Sequence, residues 1–262
     1  MAFFDDLLDL FLPASCIACG AWGRGVCAAC AAAFAGPAFP VSPVPLGVPE
    51  CWAGGVYGGA LRAAILAYKE RRRHALVGPL GELLTVTVLA AVSGGPSPPD
   101  GVVGGVWLVP VPSSRQAVRA RGGDHTRGLA VAAARGLRRR GMPVQVVPLL
   151  AAQGRRVDSV GLDAVARRAN VAGAFRIRSR FGELPNAAQI VVVDDLVTTG
   201  ATLAEASRTL TVGGWPVHRA AVLAATERHG LASPGNPVRH ALSHIMSPRR
   251  GVDRALTCPT HR

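Results

Sequence analysis

Short, continuously apolar runs recur along the chain between longer segments of helical spacing. Val106, Trp107, Leu108, Val109 and Val111 form one run, and others fall at 144–147, 175–177, 190–193 and 217–225. A strand that is apolar without alternation is buried on both faces, so strands of this kind separated by helices predict a parallel sheet covered on both sides. Leu61, Ile65, Leu66 and Tyr68 predict a helix with Arg62 and residues 69–73 on its polar side, and a second helix is expected over 76–92. A long Ala/Arg helix should follow the turn Pro112-Ser113-Ser114 and end at Arg140, and another should run through Leu203, Ala206 and Leu210. The alternation predicts a doubly wound α/β domain, in which ligands collect beyond the carboxyl ends of the strands.

The flanks read differently. Residues 3–12 alternate apolar and acidic positions, as a short amphipathic helix would, and a Cys-rich stretch after Pro13 continues to about residue 35. Prolines at 37, 40, 43, 45 and 49 predict a semi-rigid linker. From residue 229 the periodicity disappears while Pro, Ser, Arg and His persist, so the tail is expected to be disordered. The expected organisation is therefore 1–35 short helix plus Cys module, 36–50 linker, 51–228 main domain and 229–262 tail.

Composition narrows the class. With 49% apolar and 17% charged residues in 262, the chain can bury a core, which excludes global disorder. Lys and Arg number 29 against 16 acidic residues, a net +13, and 28 of the 29 are Arg. Residues 62–180 hold 20 basic and 6 acidic side chains, net +14, so everything outside sums to −1. A surplus placed this way points to phosphates, whether of a nucleotide, a nucleic acid or an anionic membrane. Compositional drift in an Arg-, Ala-, Gly- and Pro-rich chain is the plainer alternative. Asp5, Asp6 and Asp9 stand where a signal peptide needs positive charge and then an apolar run, so a cytoplasmic protein is expected. The apolar stretch 83–92 carries two Thr and falls short of the roughly 20 residues of a membrane span.

Four of the six cysteines form Cys16-x-x-Cys19 and Cys27-x-x-Cys30, seven residues apart. In a reducing compartment two such pairs favour four thiolates around one structural zinc, with redox dithiols or plain buried cysteines as alternatives. Cys51 and Cys258 read as small apolar residues.

The sharpest signal is residues 190–202. Ile190-Val191-Val192-Val193 is a buried strand, followed by Asp194-Asp195, the turn Thr198-Thr199-Gly200, and a helix opening at Ala201-Thr202. Gly200 permits close backbone approach, the Thr hydroxyls add donors, and a helix start presents unpaired N–H groups, which together suit a phosphate. The turn has no Lys and lacks the earlier glycine of a Walker loop, so a triphosphate is not expected. Acids this close to a phosphate cradle repel the ligand unless something between them donates hydrogen bonds, as a ribose diol does, or carries positive charge, as Mg²⁺ does.

This segment closely resembles the phosphoribosyl-pyrophosphate loop of type I phosphoribosyltransferases, and the wider chain resembles the ComF (ComFC/GntX) group, which carries such a domain behind a Cys-rich zinc ribbon. The ordered motifs are the Cys pairs, Ala67-Tyr68-Lys69-Glu70, residues 109–114 followed by Arg115, Arg119-Ala120-Arg121-Gly122, Gly161-Leu162, Arg167-Arg168-Ala169-Asn170, and the acid–threonine loop. The resemblance implies that Asp194 and Asp195 hold ribose hydroxyls and that Thr198, Thr199, Gly200, Ala201 and Thr202 hold the 5-phosphate. It implies that Ser113, Ser114 and Arg115 form the pyrophosphate-side loop, with Asp194, Asp195 and Arg115 as the catalytic set and 153–170 as a closing loop. Mg²⁺ would come with the pyrophosphate. Where the group has Arg-Gly-Phe-Asn-Gln, this chain has Arg121-Gly122-Gly123-Asp124-His125; it has Ser159 where the group has Gln, and one set of four Cys where the ribbon is usually double.

Two functions follow, beside a third in which the chain senses the sugar phosphate without chemistry. One is a phosphoribosyltransferase of nucleotide metabolism, moving phosphoribosyl to a nitrogen acceptor. The other is a competence-type accessory that handles single-stranded nucleic acid with the ribbon and the basic region, which calls for exposed aromatic platforms; Tyr68, Phe175 and Phe181 lie near Arg clusters. A homodimer is a further expectation.

Overall fold

The computed structural model describes residues 15–16, 20–22, 26–34, 36–94, 105–153, 171–178 and 188–226. Five apolar segments of these, with a short edge strand, build one sheet: β1 (Phe39–Pro40), β2 (Cys51–Ala53), β3 (Val106–Pro110), β4 (Val144–Val146), β7 (Gln189–Val197) and β8 (Arg219–Ala225). The order is β1-β2-β8-β7-β3-β4, parallel throughout except for β1 at the edge. The remaining pair, β5 (Leu150–Ala152) and β6 (Phe175–Ile177), forms a separate antiparallel ribbon.

Helices cover both faces, as the unbroken apolar strands require. Against one face pack α1 (Ala28–Phe34), α2 (Gly59–Glu70), α3 (Val77–Ser93) and α5 (His125–Arg139), which meet Val106, Leu108, Val191, Val193, Ala221 and Leu223. On the other face α6 (Ala201–Val212) and the ribbon meet Ile190, Val192, Ala220 and Val222. The period-2 alternation of strand side chains thus feeds two cores. Each fully buried Leu or Ile, such as Leu84, Leu108, Ile190 and Leu203, contributes about 1.5–3 kcal/mol.

The segment His74–Ser93 is long and apolar enough to cross a membrane, but half of it is buried inside the fold. Its two threonines are buried and satisfied there: Thr85 Oγ1 donates to Gly81 O at 2.8 Å and lies 3.3 Å from Ala133 O of α5, and Thr87 Oγ1 donates to Leu83 O at 2.8 Å. This is a core helix, tightly apposed to α5, where a Cβ on Gly136 would stand 2.3 Å from Thr85 Oγ1.

Three expectations change. The stretch expected as a linker, 36–50, lies on the sheet: Phe39 and Pro40 pair with Ala53 and Trp52, and Phe39, Val41 and Val48 are buried in the second core, because apolar residues between the prolines outweigh their lack of donors. The single Ala/Arg helix is two helices, α4 (Arg115–Arg121) and α5, broken where Gly122 takes φ 75° and Asp124 caps α5 by accepting the Arg127 N–H at 3.2 Å. Residues 175–177 join β5 and not the parallel sheet.

Candidate functional site

The crevice lies where strand order reverses. β3 and β7 are parallel neighbours, β4 lies outside β3, and β8 lies outside β7, so the loops leaving β3 and β7 diverge and open a gap at the carboxyl edge. The two loops start level: Pro110 pairs with Val193, and the Val111 N–H donates to Val193 O at 2.9 Å. Ser113 and Ser114 follow on the loop that leaves β3 at the same carboxyl edge.

The acid pair belongs to β7 itself and is buried. Strict alternation ends there, since Val193 and Leu196, three residues apart, pack into the same core. Asp194 Oδ1 accepts the Asp195 N–H at 2.9 Å. Burial first, and then the neighbouring Asp195 carboxylate, push Asp194 up to about 8, against an ordinary 3.8. The same burial and the Asp194 charge raise the Cys51 thiol to about 12, which makes Cys51 an inert core residue.

Asp195 Oδ2 forms an ion pair with the ammonium of Lys69, at the end of α2. Burial opposes the charge on Lys69, but the carboxylates of Asp195 and Asp194 outweigh it and its pKa is raised. Around Lys69 the end of α2 is anchored to α4 and α5. Tyr68 Oη donates to His125 O at 3.2 Å, Glu70 accepts from Arg121 at 2.7 Å, and Arg72 donates to Ala120 O at 2.8 Å. Arg72 takes φ 51°, a left-handed conformation uncommon for a residue with a side chain. Sequence reasoning gave Lys69 no role of its own; the available signal was that it is the sole lysine among 29 basic residues.

The turn expected to hold a phosphate follows the acids after Leu196 and Val197, the last residues of β7. Gly200 takes φ 73° and precedes α6 without a side-chain cap, while the Ala201 N–H lies 3.5 Å from Thr199 Oγ1. A Cβ on Gly200 would stand 2.4 Å from Pro45 Cβ and 2.9 Å from Val48 Cγ2, so the packed 36–50 segment backs the turn. Thr198, Thr199 and Thr202 are half-buried.

The opposite loop is partly committed. Ser114 Oγ caps α4 by accepting the Ala117 N–H at 3.1 Å, and Ser113 Oγ donates to Asp124 Oδ1 at 3.5 Å. The Arg115 side chain lies outside the described positions, as do residues 154–170 of the expected closing loop. Beside this loop His125 is buried, with Tyr68 edge-on at 4.9 Å and His74 stacked at 6.5 Å, and neither ring nitrogen has a hydrogen-bond partner among the described residues. Burial, then Arg121, His74 and Lys69, lower its pKa. A histidine held neutral in this way stabilises the fold above its unfolded pKa, and that stability is lost as the pH falls below about 6.5. His125→Phe should gain thermal stability relative to wild type at pH 5 more than at pH 7.5, read by melting curves of both proteins at the two pH values; an equal difference at both would show that His125 is not the group titrated.

Tyr68 and Phe175, two of the three aromatics near Arg clusters, are buried core residues and offer no stacking platform; Phe181 lies outside the described residues.

In the Cys module the sulfurs of Cys16, Cys27 and Cys30 lie within 4.8 Å of one another and could hold a metal ion. Ser15 and Trp22 form an antiparallel bridge, the Gly20 N–H donates to Cys16 O at 2.7 Å, and the Cys27 N–H donates to Cys16 Sγ at 3.3 Å. A tetrahedral zinc with bonds of about 2.3 Å needs sulfurs about 3.8 Å apart, so this spacing needs only a small contraction. Cys19, the fourth expected ligand, lies outside the described residues.

No protein-family model matches the chain, and no curated protein is similar enough to count as a relative. The class stands on the fold alone: an α/β protein with a mostly parallel, mixed six-stranded sheet flanked by helices, and a Cys cluster at its N-terminal side.

Proposed function

We propose that this chain is a phosphoribosyltransferase-like protein of the ComF group that binds phosphoribosyl pyrophosphate in the β3–β7 crevice and transfers its phosphoribosyl group to a nitrogen acceptor. The single observation that carries the reading is the buried acid pair near the carboxyl end of β7, beside the switch point and followed, after residues 196–199, by a positive-φ glycine and a helix start. In this arrangement the N–H groups opening α6 and the Thr198, Thr199 and Thr202 hydroxyls take the 5-phosphate. Asp194, held toward its protonated form, and Asp195 offer donor and acceptor to the ribose diol.

The chemistry is substitution at the ribose C1. Its bond to pyrophosphate breaks, pyrophosphate leaves with the electron pair, and a bond to the acceptor nitrogen forms, with the nitrogen's proton going to solvent. Positive charge developing on the ribose is stabilised by the adjacent Asp195 carboxylate. The leaving group's negative charge is matched by the basic 62–180 region and by Mg²⁺ that arrives with pyrophosphate as part of the substrate. In the N-terminal module zinc is the metal that fits, because closely spaced sulfurs select a soft ion, and Cys19 as the fourth thiolate would leave it no open position.

The test of transfer is pyrophosphate release when the protein, phosphoribosyl pyrophosphate and Mg²⁺ are mixed with a panel of purine, pyrimidine and amine acceptors. Release with one acceptor class, abolished in Asp194→Asn/Asp195→Asn, is the expected result; no acceptor-dependent release across the panel counts against transfer. For the metal, purified protein should carry about one zinc per chain by elemental analysis, lost in Cys16→Ser/Cys27→Ser, and a metal-free protein would refute it.

A further inference from the structure

Resting on that reading of the same site, a further question is what balances the charge of the acid pair. Two carboxylates beside a phosphate cradle repel the incoming phosphate unless positive charge stands between them. Sequence alone offered Mg²⁺ for this role, or hydrogen bonding by the diol itself. The chain supplies a third solution, the ammonium of Lys69 on Asp195 Oδ2.

Its placement is built. Tyr68, Glu70 and Arg72, on either side of Lys69, each bond to the α4–α5 segment, so the lysine stem leaves a fixed helix end. The Lys69 side chain is 28% exposed and that of Asp195 only 9%, which leaves the cation on the solvent side of the pair, where a ligand arrives. An ammonium has three donors; one is spent on Asp195 and the others remain for a sugar hydroxyl or a phosphate oxygen. A divalent ion chelated by the two acids would sit against the like charge of the ammonium that Asp195 already holds. The acid pair therefore does not fit Mg²⁺.

We infer that Lys69 is the resident counter-cation of the acid pair, so that the ribose phosphate end of the ligand binds without a divalent metal and Mg²⁺ is needed only by pyrophosphate. The probe is ribose 5-phosphate, which has no pyrophosphate, titrated by calorimetry into wild type, Lys69→Met and Lys69→Arg, in EDTA and in millimolar Mg²⁺. Wild type and Lys69→Arg should bind equally in both buffers. Lys69→Met should lose about tenfold or more in EDTA, and Mg²⁺ should return part of it. Loss by Lys69→Met in both buffers, with Lys69→Arg unaffected, also supports the role, since charge rescues what shape alone does not. Wild-type binding that depends on Mg²⁺, full binding by Lys69→Met in EDTA, or loss by Lys69→Arg would overturn it while leaving the sugar-phosphate reading in place. No binding by wild type in either buffer would remove that reading and this inference together.

Discussion

Replacing Gly200 by alanine should destabilise the protein by about 2–4 kcal/mol and abolish phosphoribosyl pyrophosphate binding. Two separate costs add. The residue sits at φ 73°, where a side chain costs roughly 1 kcal/mol in backbone strain. The new Cβ would also stand 2.4 Å and 2.7 Å from Pro45 ring atoms and 2.9 Å from Val48, closer than atoms pack, and both neighbours belong to a segment already fixed to β2. Relief requires either the turn or the 41–48 stretch to shift, and overpacking of this kind costs about 1–3 kcal/mol. Chemical denaturation of the variant measures the first effect and calorimetry of ligand binding the second. A variant as stable as wild type would mean that the turn relaxes freely and is not a preformed cradle.

Asp194→Asn should do the opposite to stability while still costing binding. The carboxyl is held near 8 in the fold against about 3.8 when unfolded, so between those values the native state binds the extra proton. Stability is therefore full at low pH and is lost progressively as the pH rises from about 4 to about 8. Asparagine keeps the oxygen that accepts the Asp195 N–H and removes the buried ionisation. The variant should match wild type near pH 4 and become progressively more stable than it as the pH rises toward 8, read as a melting-temperature difference that widens with pH. A stability gain independent of pH would show that Asp194 is not the group being titrated. A site that destabilises the empty protein and is retained for its ligand is what a functional carboxylate looks like.

Much of the arrangement around β7 was legible in the sequence because local signals agree there. A run of Ile and Val can only be a buried strand, Gly at a turn permits the positive φ, and Leu203, Ala206 and Leu210 repeat at helical spacing. Elsewhere local and tertiary signals diverge. Arg119 to Gly122 continues a helical composition, and only the left-handed Gly122 together with the Asp124 cap breaks it into α4 and α5. The prolines of 36–50 promised a linker, yet Phe39, Val41 and Val48 bury enough apolar surface to hold the segment on the sheet. Residues 150–152 and 175–177 look like any short strand, and nothing local says that they pair with each other. Lys69 was hidden for the same reason: it lies 126 residues before Asp195, and only the folding of α2 onto the carboxyl edge brings the two charges together.

The central claim is that the crevice between β3 and β7 binds phosphoribosyl pyrophosphate through the acid pair. Calorimetric titration of that ligand with Mg²⁺ into wild type and into Asp194→Asn/Asp195→Asn tests it most directly. The account predicts one site per chain in wild type and a loss of about a hundredfold or more in the double variant, as expected when hydrogen bonds to charged groups are removed. Equal affinity in the two proteins would contradict it.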